Sequence, residues 1–153
     1  MSLEEDIKVT KFRNPRHRLA VNLLFTNNWM NARMQPVFRA HGITNQQYNI
    51  LRILRGASPG PCNIQELKAR MLDKQPDASR LVDRLYNKGL VSRKVNDVDR
   101  RKMDICITEK GLDLVGSMDD DVNALERMFE GLNDKEIGLV NKLLDKMRDN
   151  FGG

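Results

Sequence analysis

The sequence predicts a mainly helical chain with one small two-stranded β-hairpin. Two observations lead there. Helix-start signals recur along the 153 residues, each a Thr or Asn answered three positions later by Gln or Glu and followed by apolar residues at helical spacing. One stretch, "VSRKVNDVDRRKMDICITEKG", drops that spacing. There Val91 and Val95 alternate with Arg93, and Met103, Ile105 and Ile107 alternate with Asp104 and Cys106.

The elements follow in order. Residues 15–40 form a first helix. Leu19, Leu23, Leu24, Phe25, Trp29, Met30, Met34, Val37 and Phe38 cover more than one stripe, so burial on two sides is expected. Pro36 is expected to end or kink it near its last turn. "GITNQQYNILRIL" opens a second helix, with Thr44 as N-cap, Gln47 as its capping-box partner, and Ile43 and Tyr48 at the staple positions. "RGASPGPCN" breaks it. Asn63 and Glu66 cap a third helix with Ile64, Leu67 and Met71 on one face. A fourth, over 76–88, has Pro76 near its first position and Ala78, Leu81, Val82 and Leu85 as its stripe. Gly89 fits the left-handed residue that follows a helix. After the hairpin, Thr108 caps a long helix carrying Leu112, Val115, Val122, Leu125 and Phe129. Asn133 and Glu136 start a last helix with Ile137, Val140, Leu143, Leu144 and Met147 on one face.

Composition narrows the function. The chain is 40% hydrophobic and 31% charged, a globular rather than a disordered balance. No apolar run approaches a membrane span, and the opening "MSLEEDIKVTKFRNP" has no apolar core of the secretory kind. Cys62 and Cys106 follow no metal or redox spacing, and His17 and His41 are too few for a zinc site. A reduced, cytoplasmic, cofactor-free protein is expected. No nucleophile motif, phosphate loop or carboxylate pair speaks for an enzyme. The net charge is +5, unevenly spread. Residues 63–110 hold twelve Lys/Arg against eight Asp/Glu, whereas 111–153 hold five against ten. A basic middle beside an acidic end hints at a polyanionic partner.

Helix, helix, helix and hairpin is the winged helix-turn-helix order. The helix over 76–88 turns its stripe inward and shows Asp77, Ser79, Arg80, Asp83, Arg84 and Asn87 outward, as a helix bound in a DNA major groove would. Gln75 in the preceding turn and Arg93 on the first strand join that candidate DNA surface. At the hairpin tip, Arg100 reads as a phosphate contact and Arg101 as a minor-groove arginine, with Asp99 two residues before it to hold the guanidinium extended. The bland alternatives are a solvated face with Asp77–Arg80 or Arg80–Asp83 pairs, and a charged tip that keeps a sheet edge soluble. Asp73 and Asp77 near the groove leave base preference open.

"SRLVDRL", "KGLV.R", "D..DRR" and "ITEKG" together resemble the signature stretch of the MarR family of transcription regulators, and the likeness runs back through "GITNQQYNILRIL". The resemblance implies one domain over 1–153, with 44–108 as the winged helix-turn-helix and 15–40 and 109–150 as dimerisation helices. It implies a homodimeric repressor of double-stranded DNA on a pseudo-palindromic operator, with the wing arginine at Arg101 and its acidic partner at Asp99. It also allows a small aromatic or anionic effector, for which Trp29, Arg33, His41 and Tyr48 are the candidates. Against that, Trp29 and Tyr48 could be core and Arg33 solvated. The rival class is a winged-helix module that binds protein instead of DNA. It would favour an apolar or acidic wing, and this wing ends in "DRR".

Overall fold

The computed structural model describes residues 2–149. The chain forms two compact units, one up to Asp119 and one from Asp120 onward.

The first unit opens with a helical turn that the sequence reading does not contain, α1 (Leu3–Asp6). Its signal is nonetheless present. The Ser2 hydroxyl accepts from the Glu5 N–H while the Glu5 carboxylate accepts from the Ser2 N–H, a capping box of the kind recognised further along. Glu4 binds the Arg18 guanidinium at 2.6 and 3.2 Å, which holds its carboxyl down at about 2. Leu3 is buried.

Helix α2 (Pro15–Ala40) starts at the Asn14 cap, with Pro15 where a missing N–H costs nothing. It runs through Pro36 to Ala40, the reach expected of it. Proline removes one hydrogen bond, to the Ala32 carbonyl four residues back, but both residues lie on the exposed side, where water can serve that carbonyl. The single chain does not bury α2 on two sides. Phe38 is its only buried residue, and Leu19 and Leu24 are exposed.

Helices α3 (Asn45–Ala57) and α4 (Ile64–Arg70) begin at the expected capping boxes, Thr44 with Gln47 and Asn63 with Glu66. Helix α5 (Ala78–Asn87) begins two residues later than expected. Pro76 lies outside it, and Asp77 is the cap, its carboxylate accepting from the N–H groups of Ser79 and Arg80. A carboxylate also suits the positive end of the helix dipole. Strands β1 (Val91–Val95) and β2 (Met103–Ile107) pair antiparallel, with Val91 opposite Ile107 and Val95 opposite Met103. Cys62, expected in a loop, bridges the other edge of β2 through paired backbone bonds with Ile105 at 2.9 and 2.8 Å.

Helix α6 (Glu109–Ala124) stops short of its expected reach and tightens into a 3-10 turn over Leu125–Phe129. Such turns are common where an α-helix ends. In the second unit, α7 (Asp134–Asp149) starts where Asn133 and Glu136 exchange capping bonds.

The core of the first unit is one cluster. Ile50, Leu51 and Leu54 of α3, Leu67 of α4, Val82 and Leu85 of α5, Val91 and Ile105 of the hairpin, and Val115 and Met118 of α6 are essentially sealed from water. The exit from α5 and the entry to α6 interlock beside it. Gly89 adopts φ +72°, and the Leu90 carbonyl accepts from the Thr108 N–H at 3.1 Å. The Thr108 hydroxyl donates to the Gly89 carbonyl and accepts from the Gly111 N–H, while the Lys110 ammonium donates to the Lys88 carbonyl. At Gly111 a β-carbon would stand 2.3 Å from the Leu90 carbonyl oxygen and 2.7 Å from Ile107. Gly116, on the same helix, has open space.

The two glycines should therefore respond oppositely to alanine. Gly111→Ala is expected to destabilise the fold by about 1–3 kcal/mol or more through overpacking against backbone. Gly116→Ala is expected to stabilise it by up to about 1 kcal/mol through helix propensity. Urea melts of the two variants check both signs.

Candidate nucleic-acid interface

Helix α5 is strongly two-faced. Ala78, Leu81, Val82 and Leu85 are buried, whereas Ser79, Arg80, Asp83, Arg84 and Asn87 are exposed. Among the described residues, the side chains of Arg80 and Arg84 have no hydrogen-bond or ion-pair partner. Neither of the suggested pairs, Asp77–Arg80 or Arg80–Asp83, forms. Asp77 is engaged in capping, and Asp83 binds Arg93.

Arg93 is thereby anchored. It leaves β1 toward α5, pairs with the Asp83 carboxylate, and lays its guanidinium 3.9 Å from the centre of the Tyr86 ring. The sequence puts Arg93 on the DNA surface with no sign of this tether, because the partners lie ten positions apart, across a helix end and a turn. In the turn between α4 and α5, Asp73 accepts from the Gln75 N–H, the Lys74 ammonium donates to the Lys68 and Ala69 carbonyls, and Asn49 accepts from the Leu72 N–H. Gln75 itself is exposed.

At the wing tip, Asp99 binds Arg101 three ways. Its carboxylate accepts from the Arg101 backbone N–H, from Nε at 3.1 Å and from Nη2 at 3.4 Å. The guanidinium beside it, and that backbone N–H, hold the Asp99 carboxyl below its ordinary value. The Arg101 side chain remains 91% exposed, so it is oriented without being covered. Arg100 is exposed, and its side chain has no partner among the described residues. Residues 96–101 thus present one arginine in a fixed pose and one free to swing.

The four effector candidates do not converge. Tyr48 is buried with its ring 4.9 Å from that of Phe38, and its hydroxyl accepts from Arg52. Arg33 stacks 3.9 Å from the Trp29 ring and donates to the Trp29 carbonyl. Trp29 borders a hollow of about 450 Å³ with Leu3, Arg18 and Phe25. His41 borders another, of about 560 Å³, with Asn87, Lys88 and Lys110. A third hollow, of about 640 Å³, holds none of the four. Asn31, Met34, Phe38, Arg39, Gln46 and Lys88 line it. Its residues come from three separate stretches, and no single stretch signals it. Among the described residues no group of three His, Cys, Asp or Glu could hold a metal ion, and no helix is long and apolar enough to cross a membrane.

The tether makes a testable claim. Arg93→Ala should destabilise the fold by about 1 kcal/mol, the sum of a part-exposed ion pair and a cation–π contact. Urea melts check this, and an unmoved midpoint would mean that the tether adds nothing to stability.

Comparison with known proteins agrees with this geometry. Residues 43–103 match the model of the MarR family. A MarR transcription factor from Planctomyces limnophilus is 29% identical, with a TM-score of 0.68 over 88% of this chain and 98% of that one. BpsR of Bordetella bronchiseptica, solved in work on how 6-hydroxynicotinic acid regulates its DNA binding, is 24% identical, with a TM-score of 0.79 over 91% and 99%. MepR of S. aureus, solved as a DNA complex, is 21% identical, with a TM-score of 0.78 over 86% and 96%. From Ile43 to Met103, spanning the helix-turn-helix and most of its wing, this chain matches the MarR family, and its fold is that of MarR transcription regulators.

Proposed function

We propose that the protein is a sequence-specific DNA-binding regulator of transcription, a cytoplasmic repressor that acts as a homodimer on a pseudo-palindromic operator. The observation that carries this reading is the pairing, within one winged helix-turn-helix, of an open arginine face with an oriented wing arginine. Arg80 and Arg84 stand exposed on α5, with Ser79 at the N-terminal end that would face the bases. Gln75 and Asp77 flank that end. Arg101 is held outward by Asp99 as a minor-groove side chain must be, and Arg100 supplies a phosphate contact. Arg93 acts through its tether, setting the wing against α5, rather than by reaching DNA. MepR, of the same fold, is a DNA binder.

The dimer is proposed from faces that the single chain leaves open. No residue of α7 is buried, and Leu139, Val140, Leu143 and Met147 are exposed along it. On α2, Leu19 and Leu24 are exposed. Apolar faces of this kind mark interfaces, and two-fold dimers are their commonest solution. A small aromatic or anionic effector belongs to the proposal as well, since BpsR answers to 6-hydroxynicotinic acid. Such a compound would have to bind the DNA-incompetent state more tightly than the competent one. The Arg39–Lys88 hollow and the Trp29 and His41 hollows are its candidate seats.

Selection of genomic DNA fragments on the purified protein tests the DNA reading. Recovered duplexes should bind with an affinity that falls steeply with salt, by a slope of about −0.9 per phosphate neutralised. Arg101→Ala should weaken that binding by about 1–3 kcal/mol and leave melting temperature unchanged. If no fragment is retained, or if affinity ignores both salt and Arg101, the protein-interaction alternative gains. Sedimentation at micromolar concentration should show a dimer, and Leu143→Glu should shift it to monomer. A wild-type monomer would remove the two-fold operator from the proposal.

A further inference from the structure

Two wing-tip groups are almost wholly in solvent, Val98, 98% exposed, and Arg101, whose side chain is 91% exposed. No packing orders such groups, so whatever orders them must be hydrogen bonding inside the tip. Those bonds converge on Asn96. Its side-chain oxygen accepts from the N–H groups of Val98 and Asp99, at 2.9 and 2.8 Å. Its side-chain amide donates to both carboxylate oxygens of Asp104, each at 3.1 Å. Its backbone N–H closes the loop onto the Lys102 carbonyl. Asp104 in turn sits on β2, opposite Lys94 in the ladder.

We infer that Asn96 and Asp104 are positioning residues for DNA recognition, a clamp that transmits the register of the hairpin to the poses of Val98 and Arg101. The inference rests on the DNA-binding reading above and extends it to two residues absent from the candidate interface. The chain of contacts is continuous. Asp104 fixes the Asn96 amide, which leaves the opposite oxygen aimed at two backbone N–H groups. Those bonds set the turn that carries Asp99, and Asp99 holds Arg101. The chemistry at position 96 must be both donor and acceptor, because one end faces a carboxylate and the other faces N–H groups. Asparagine meets that demand and aspartate does not.

Charge gives a test with opposed signs. Asp104 is an anion within the wing, and simple electrostatics says that its removal should strengthen binding to phosphate. The clamp says that removal should weaken it. On a duplex recovered by the wild-type protein, Asp104→Ala and Asn96→Asp are each expected to bind about five- to tenfold more weakly, at the low end of the loss for the wing arginine itself. The double variant Asn96→Asp/Asp104→Asn keeps the net charge and restores a donor facing an acceptor, with the roles exchanged. It is expected to return to within about threefold of wild type, since reciprocal partners show strong non-additivity. The wild-type preference for A·T-rich over G·C-rich flanks should shrink in both single variants and reappear in the double. Melting temperatures should stay together, because the tip contributes little core. If wild type binds and Asp104→Ala binds as well or better, the clamp is refuted while the DNA reading stands. Failure of the double variant to recover also refutes it. Wild-type protein that retains no duplex refutes the DNA reading, and the clamp with it.

Discussion

Where α5 ends and α6 begins, two short sequences lock together around a glycine that has no room for a side chain. Gly111 lies against the Leu90 carbonyl. Thr108 bridges the Gly89 carbonyl and the Gly111 N–H, and Lys110 reaches the Lys88 carbonyl. The clasp satisfies the carbonyls of Lys88, Gly89 and Leu90, in the segment that leaves α5 for the wing. It also draws the two ends of the hairpin together, since β1 starts right after Leu90 and β2 ends right before Thr108. The wing therefore leaves the helical body at a fixed root. That geometry explains why "KGL" and "ITEKG" occur together: each supplies groups that only the other completes.

From that root outward, arginine is used in two ways. Arg55 and Arg93 are tied down. Arg55 grips the Asp119 carboxylate at 3.0 Å to each oxygen, joining α3 to α6, and Arg93 joins the wing to α5 through Asp83 and Tyr86. Arg80, Arg84 and Arg100 have no partner among the described residues. Arg101 is intermediate, oriented by an acid yet almost wholly in solvent. Exposed ion pairs of this kind contribute little to stability. Their physical effect is to narrow the range of poses from which a guanidinium starts, which lowers the ordering cost of an encounter.

The apolar surface is divided as sharply. The cluster around Ile50, Leu51, Leu54 and Ile105 is sealed, which gives the winged region a core of its own. Helix α7 has no fully buried residue and α2 has one, Phe38. Half-exposed side chains such as Leu143 each withhold on the order of 1 kcal/mol of further burial.

Much of this was legible from the residues. Capping boxes located α3, α4 and α7, because a cap is a bond between positions three apart and is written locally. Two-residue alternation located both strands, and Gly89 announced its own left-handed turn. The same logic would have found α1 from Ser2 and Glu5. The Asp99–Arg101 pair, two residues apart, could also be read directly. What the sequence could not decide was set by contacts between distant positions. Helix α2 runs on past Pro36, where Pro36 and Ala32 both lie on the exposed side. Asp77 became a cap rather than an open acid, because α5 begins at Ala78. Arg93 turned toward Asp83 and Tyr86 across a helix end, and Asn96 met Asp104 across the hairpin. Trp29, His41 and Tyr48 went to three different surroundings. Local hydrogen bonding and periodicity were thus fixed by neighbours in the chain, whereas charged partners far apart in sequence, Arg55 with Asp119 and Arg93 with Asp83, followed only from the packing of one element on another.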